Sequence, residues 1–159
     1  MTGTQLTLII VGSVLLGNIL FQGLMWTLIL RHWRKQWTRV TAEVERAIRK
    51  SGARTIRPPY RARYMGSTSR SAGRVNGKAI AALTDEALIL QTFRGGPLIY
   101  RADGAVTGVR ESRSFRRSAS AGWTNVVLGL ADGGEVGFAV REDAGGWVRD
   151  VKRVVVGIR

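Results

Sequence analysis

A long run of apolar residues lies near the start of the chain. Residues 6–30 read LTLIIVGSVLLGNILFQGLMWTLIL, and residues 1–30 contain no Lys, Arg, Asp or Glu. A helix needs about 20 residues to cross the hydrocarbon core of a bilayer. Residues 1–30 are therefore predicted to form an extracytoplasmic tip and a transmembrane anchor. A cleaved signal peptide is the competing interpretation, but no basic residue precedes the run and no small-residue cleavage site follows it.

From residue 31 onward the apolar positions recur at the helical period. Trp33, Trp37, Val40, Val44 and Ala47/Ile48 fall on one face of a helix, and Ser51-Gly52 supplies a stop signal. Residues 31–52 are therefore predicted to form a basic amphipathic juxtamembrane helix. Its apolar face has two competing partners, the inner leaflet of the membrane or protein. We expect leaflet contact near Trp33 and protein packing further along the helix.

The rest of the chain has the pattern of a β domain. Residues 53–59, ARTIRPP, are predicted to be a linker because two prolines disfavour a helix. Residues 60–159 are predicted to be one domain, in which apolar residues alternate between turn signals, as at Val126, Leu128 and Leu130. A closing helix is expected after Asp143, its predicted N-cap, with Trp147, Val151 and Val154 on one face. The predicted strands are residues 60–68, 79–84, 87–93, 97–101, 105–113, 123–131 and 135–141.

Two segments of this domain resemble a known family. GKAIAALTDEALIL (residues 77–90) and PLIYRADGAVTGVRES (residues 97–112) are similar to bacterial pleckstrin-homology-like domains. YMGST (residues 64–68) resembles the same region of small actinobacterial single-span proteins that carry this domain. The resemblance implies a mainly β fold, a seven-stranded barrel with a C-terminal helix, whose loops or open side bind lipid headgroups or protein partners.

The charge distribution predicts an orientation. The net charge is +14 at pH 7, and residues 31–58 hold nine basic and two acidic side chains. The positive-inside rule then places the N-terminus outside and the domain in the cytoplasm, at the inner or plasma membrane of the cell. A sequence pI near 11.6 raises nucleic-acid binding as a possibility. Half of the excess charge is juxtamembrane, however, and no basic–aromatic repeat is present, which argues against that reading.

Two basic groups are candidate sites for anionic lipid, and tryptophans and small residues mark further contacts. Trp26, Trp33 and Trp37 are expected at the membrane interface. Ser13 and Gly17 form a small-xxx-small pair that permits close approach of a second helix, so self-association through this pair is one interpretation and chance occurrence of small residues in the span is the other. The candidate anion-binding residues are Arg31, Arg34, Lys35, Arg39, Arg110, Arg113, Arg116 and Arg117.

The sequence offers no constellation for catalysis. It contains one His, at position 32, and no Cys, which excludes a Cys nucleophile and disfavours a zinc site. Its Gly pairs match neither the P-loop nor the dinucleotide-binding pattern. We therefore expect a non-enzymatic protein without metal or cofactor. The expected function is that of a membrane-anchored interaction or scaffold module that binds anionic lipid, membrane proteins or both. The alternative is an accessory subunit of a transport or export complex that works through protein contacts alone.

Overall fold

The first element of the fold is one long helix, α1, Gly3–Ser51. The computed structural model describes residues 3–69, 76–116 and 121–157. It divides the chain into two units, Met1–Arg39 and Val40–Arg159. The predicted juxtamembrane helix is not a separate element, because residues 31–50 contain no Gly or Pro to interrupt α1. The helix ends at Ser51, and Gly52 follows in the left-handed conformation at φ 73°.

One helix in the described part of the chain is long and apolar enough to cross a membrane. It is α1, and its most apolar stretch is not buried by the protein. A signal sequence near the N-terminus passes the same test of length and composition. The structure therefore agrees with a membrane anchor at that level.

The second unit is built on a curled antiparallel sheet of seven strands. Their order across the sheet is β4-β3-β2-β1-β7-β6-β5. The strands are β1 Thr55–Ser67, β2 Gly77–Thr84, β3 Ala87–Thr92, β4 Pro97–Arg101, β5 Val106–Ser112, β6 Thr124–Leu130 and β7 Glu135–Val140. Each predicted strand has a counterpart, with ends that differ by a few residues.

The predicted seven-stranded barrel takes the form of a curled half-barrel sheet. In the described structure β4 and β5 are the two edge strands, and they do not pair with each other. The C-terminal helical segment contacts β3, β4 and β5 and thus bridges the two edges. Apolar packing of this segment replaces the hydrogen bonds that would close a barrel.

Side chains at alternate positions of the strands form the inner face of the sheet, which holds the main core. This inner face includes Leu88, Val126, Leu128 and Phe138, all fully buried. Alternate residues lie on the opposite, outer face, because successive side chains of a strand point to opposite sides. The core therefore follows directly from the period-two pattern in the sequence.

β1 begins at Thr55, inside the segment predicted to be a linker. Residues 55–59 extend the strand, and Arg57 is aligned with Leu83 of β2. The register of the pairing shifts between Arg57 and Tyr60, where Pro58 and Pro59 lie. A proline cannot donate a ladder hydrogen bond, so it is tolerated at such an irregularity. The two prolines suggested a linker, but residues 55–59 belong to β1, so the prediction of a linker was wrong over these residues.

The chain closes with helix α2, Ala144–Val151, followed by a π-helical turn, Lys152–Val156. Asp143 is the N-cap, as predicted, and its carboxylate accepts a hydrogen bond from the Gly146 amide at 3.0 Å. Trp147 and Val151 are buried, as their spacing suggested. Val155 rather than Val154 is the next buried residue, because the wider π turn shifts the buried face by one position.

Candidate functional site

The cationic part of α1 separates aromatic from basic side chains. At 3.6 residues per turn, Trp26, Trp33 and Trp37 lie on one face of the helix. Arg31, Lys35 and Arg39 fall on the opposite side of the helix, and Arg34 lies between the two faces. All four predicted cations, Arg31, Arg34, Lys35 and Arg39, are exposed. Such a helix suits a membrane boundary, where tryptophan rings lie at headgroup level and basic side chains reach phosphates.

A buried phenylalanine anchors the loop between β5 and β6. Phe115 is 4% exposed and packs with Met65, Val127 and Ala139 on the outer face of the sheet. Its ring fills the space above Gly137, where an added Cβ would lie 2.6 Å from the ring. Trp123 packs against the same cluster. Phe115 and Trp123 therefore hold the described ends of this loop, residues 113–116 and 121–123, against the sheet.

The four predicted loop cations do not form one group. Arg110 lies in β5 and donates to Glu135 at 2.9 Å, so its charge is already paired. Arg113 and Arg116 are exposed on either side of Phe115. Arg116 has a left-handed backbone, with φ 49°. Arg117 lies outside the described residues. The structure thus brings Arg113 and Arg116 to the same anchored segment.

The outer face carries further cations that sequence reasoning did not select. Arg61 and Arg63 alternate along β1, and Arg63 is directly opposite Lys78 on β2. All three residues are exposed. Limited desolvation of the Lys78 ammonium group nevertheless lowers its pKa. Arg63 is also aligned with Ala139 of the cluster under the loop. The signal in the sequence was the alternation YRARY, in which the core residues and the arginines take turns.

A second polar cluster fastens α2 to the start of β1. Arg57 donates to Asp150 at 2.6 Å and to Asp143 at 2.7 Å. Its guanidinium lies 5.1 Å from the centre of the Trp147 ring. Burial alone would lower the pKa of Arg57, but the hydrogen bonds to the two carboxylates outweigh it and raise the pKa. The hydrogen bond from Arg57 lowers the pKa of Asp143. These contacts satisfy one another, so the cluster is structural.

Two tyrosines of the half-barrel core have shifted pKa values. Burial raises the pKa of Tyr64 and of Tyr100, so both phenols stay protonated at neutral pH. The Tyr100 hydroxyl is buried without a hydrogen-bond partner. Among residues 3–69, 76–116 and 121–157, no three His, Cys, Asp or Glu side chains lie close enough to hold a metal ion.

Comparisons with known proteins give no relative on which to base an assignment. Neither the protein-family models, nor the curated proteins, nor the solved structures contain a match to this chain.

Proposed function

We propose that the protein is a single-span membrane protein whose half-barrel acts as a non-enzymatic interaction or scaffold module at the cytoplasmic face. It binds anionic lipid, membrane proteins or both. The observation that carries the proposal is the exposed basic segment, Arg31, Arg34, Lys35 and Arg39, that follows an exposed apolar stretch within the same helix. Anionic lipid attracts basic residues near a membrane surface by about 1 kcal/mol each.

The assignment of the domain to the pleckstrin-homology-like class is part of this proposal. Seven antiparallel strands followed by a terminal helix, as the resemblance implies, support it. The class is rich in domains that present a loop or an open side to a ligand. In this chain, Arg113 and Arg116 on the anchored loop are the proposed headgroup contacts, together with the juxtamembrane cations. Arg110 is excluded from this set, since it is paired with Glu135.

The test uses the full-length chain reconstituted into liposomes. Energy transfer from the tryptophans is measured to dansyl-labelled phosphatidylglycerol and, separately, to dansyl-labelled phosphatidylcholine at the same mole fraction. Preferential transfer to the anionic probe is expected at low salt. It should weaken as ionic strength rises from about 0.01 M to about 1 M, because the Debye length falls from about 30 Å to about 3 Å.

Two triple variants with the same loss of charge make the test specific. Arg31→Gln/Arg34→Gln/Lys35→Gln should lose most of the preference for the anionic probe. Arg94→Gln/Arg101→Gln/Arg149→Gln removes three exposed cations from the second unit and should keep it. An equal loss of the preference in both variants would show that the preference depends on net charge alone and not on the juxtamembrane cations. No preference in the unmodified chain, together with co-purification of a multi-span protein, would instead support the accessory-subunit alternative.

Orientation is tested independently of lipid binding. An epitope tag at the N-terminus should be accessible on intact cells, whereas a tag at the C-terminus should be accessible only after permeabilisation. The opposite pattern would contradict the cytoplasmic placement of the half-barrel.

A further inference from the structure

We infer that α1 pairs with α1 of a second copy of this chain, in parallel and in register, through a polar-centred face. This inference rests on the membrane anchorage proposed above. The face has alternating spacings of four and three residues, which keep its members along one seam of a helix. Its members in the apolar segment are Val11, Leu15, Asn18, Gln22, Met25 and Ile29.

The centre of this face carries two carboxamides that the helix only partly satisfies. Gln22 donates to Asn18 at 3.2 Å, and both side chains are exposed. Asn18 is the midpoint of residues 6–30. Each carboxamide has two N–H donors and an oxygen with two lone pairs, so one mutual bond leaves most of this capacity unused. Lipid tails offer no hydrogen-bond partner, and a neighbouring helix is the usual source of one.

The same arrangement recurs two heptads further along α1. His32 and Gln36 follow Asn18 and Gln22 by fourteen residues each, and their side chains approach within 2.9 Å of each other. Fourteen residues return to the same position of a coiled-coil seam. The face therefore has one amide pair at the middle of the apolar segment and one imidazole–amide pair beyond its basic end.

A second copy of the chain is the occupant that fits this face. Two copies inserted by the same charge rule have the same orientation, so their helices pair in parallel and Asn18 meets Asn18. A carboxamide is both donor and acceptor, as is a neutral imidazole, so each is complementary to itself. A polar residue at one seam position also fixes register, because slippage would leave it opposite an apolar side chain.

This face is distinct from the one formed by Ser13 and Gly17. At 100° per residue, the two faces lie roughly 140° apart around the helix axis. Cross-linking can separate them, since only one can form the centre of a two-helix contact.

The experiment uses the absence of cysteine from the full-length chain. Single variants Val11→Cys, Leu15→Cys, Met25→Cys and Ile29→Cys are expressed, and isolated membranes are oxidised with copper phenanthroline. Covalent dimers are expected on this face at several times the yield of Leu16→Cys, Leu20→Cys and Leu24→Cys, which lie on the far side. Equal yields, higher yields on the far side, or adducts only with a different protein would overturn the inference.

The polar centre is tested on the Met25→Cys background. Adding Asn18→Leu and Gln22→Leu should lower the dimer yield about threefold to tenfold, the range expected for losing interhelical hydrogen bonds in a membrane. Thr27→Val is the matched control, because its hydroxyl donates within the helix to the Gly23 carbonyl on another face. It should leave the yield unchanged. An unchanged yield in the double variant would also overturn the inference.

Alkaline carbonate extraction separates this inference from the proposed function. If the unmodified chain stays with the membrane but gives no face-specific dimer, only the pairing of α1 fails. If carbonate releases the chain, the proposed membrane anchorage is contradicted. The pairing of α1 is then contradicted as well, because it rests on that anchorage.

Discussion

Two leucines in this chain have opposite surroundings. Leu20 on α1 is 65% exposed, whereas Leu88 on β3 is fully buried in the half-barrel. The sequence around each explains the difference. Leu20 belongs to the uncharged, mainly apolar run of residues 6–30, whose most apolar stretch is not buried by the protein. Leu88 lies in β3, where the alternate positions Leu88 and Leu90 face the core of the half-barrel. Apolar content alone does not build a core. The period of the apolar residues decides whether other parts of the chain bury them or whether a non-aqueous solvent, such as lipid, must surround them.

The largest expected effect comes from making the same substitution in both places. Leu88→Ala should lower the free energy of unfolding of the second unit by about 2–5 kcal/mol, because it leaves a cavity in a packed core. Leu20→Ala should change it by less than about 0.5 kcal/mol. Urea unfolding of the detergent-solubilised chain, followed by circular dichroism of the sheet, measures both. Similar losses in the two variants would mean that α1 and the sheet unfold together.

The second prediction extends the comparison to the outer face of the sheet. Phe115→Ala should cost about 3 kcal/mol, since the ring is a buried aromatic. Gly137→Ala should cost about 1–3 kcal/mol, because the new methyl group meets that ring. The double variant should be less destabilised than the sum of the two single variants, as the smaller residue makes room for the methyl group. Strict additivity would show that Phe115 does not lie over Gly137.

The third prediction concerns a polar contact that is half removed from water. Arg57→Leu should destabilise the second unit by about 1–3 kcal/mol, because it leaves Asp150 without its charged partner. Arg94→Leu, at an exposed turn, is the control and should have little effect. Urea unfolding at neutral pH compares them. A loss no greater than that of the control would make the Arg57 cluster a surface feature.

The same cluster predicts a pH dependence. The pKa of Asp143 is lowered in the folded state by the hydrogen bond from Arg57. Its contribution to stability is therefore complete above the ordinary Asp pKa of about 3.9, and it is lost as the pH falls through the lower folded value. Unfolding curves measured below about pH 4 should show less acid destabilisation in Arg57→Leu than in the unmodified chain.

The smallest effect is expected at the ion pair between Arg110 and Glu135. Arg110 is 56% exposed, and solvent screens such pairs strongly. Arg110→Ala should change the free energy of unfolding by less than about 1 kcal/mol, and added salt should reduce even that difference. A larger, salt-resistant loss would show that this arginine is part of the packed outer face.

The sequence predicted the half-barrel well where alternation was clear. Val126, Leu128 and Phe138 could be assigned to a buried face because large apolar residues recur at every second position of residues 126–130 and 136–140. Asp143 could be assigned as a cap because a carboxylate before an amphipathic run satisfies free amides. Both inferences use interactions between residues that are close in sequence.

The remaining features depend on contacts between distant residues. Nothing near Phe115 in the sequence indicates that its ring covers Gly137, and nothing near Arg110 indicates its pairing with Glu135. The predicted linker was misjudged for the same reason, since Pro58 and Pro59 are tolerated only because β1 changes register against β2 there. The juxtamembrane cations are exposed. Their proposed ligand is a component of the membrane, so their binding of anionic lipid stays a prediction.

The two edge strands of the half-barrel are consecutive in the chain, and residues 102–105 alone connect them. The curled sheet thus has two unpaired edges, and one short loop connects the two edge strands. A chain break within residues 102–105 leaves every strand pairing in place. Strands β1–β4 pair among themselves, strands β5–β7 pair among themselves, and the two groups pair with each other through β1 and β7. Fragments 1–101 and 106–159 should therefore reassemble into a half-barrel. The protein thereby provides a natural position for a split reporter, or for a guest domain inserted without disturbing the sheet.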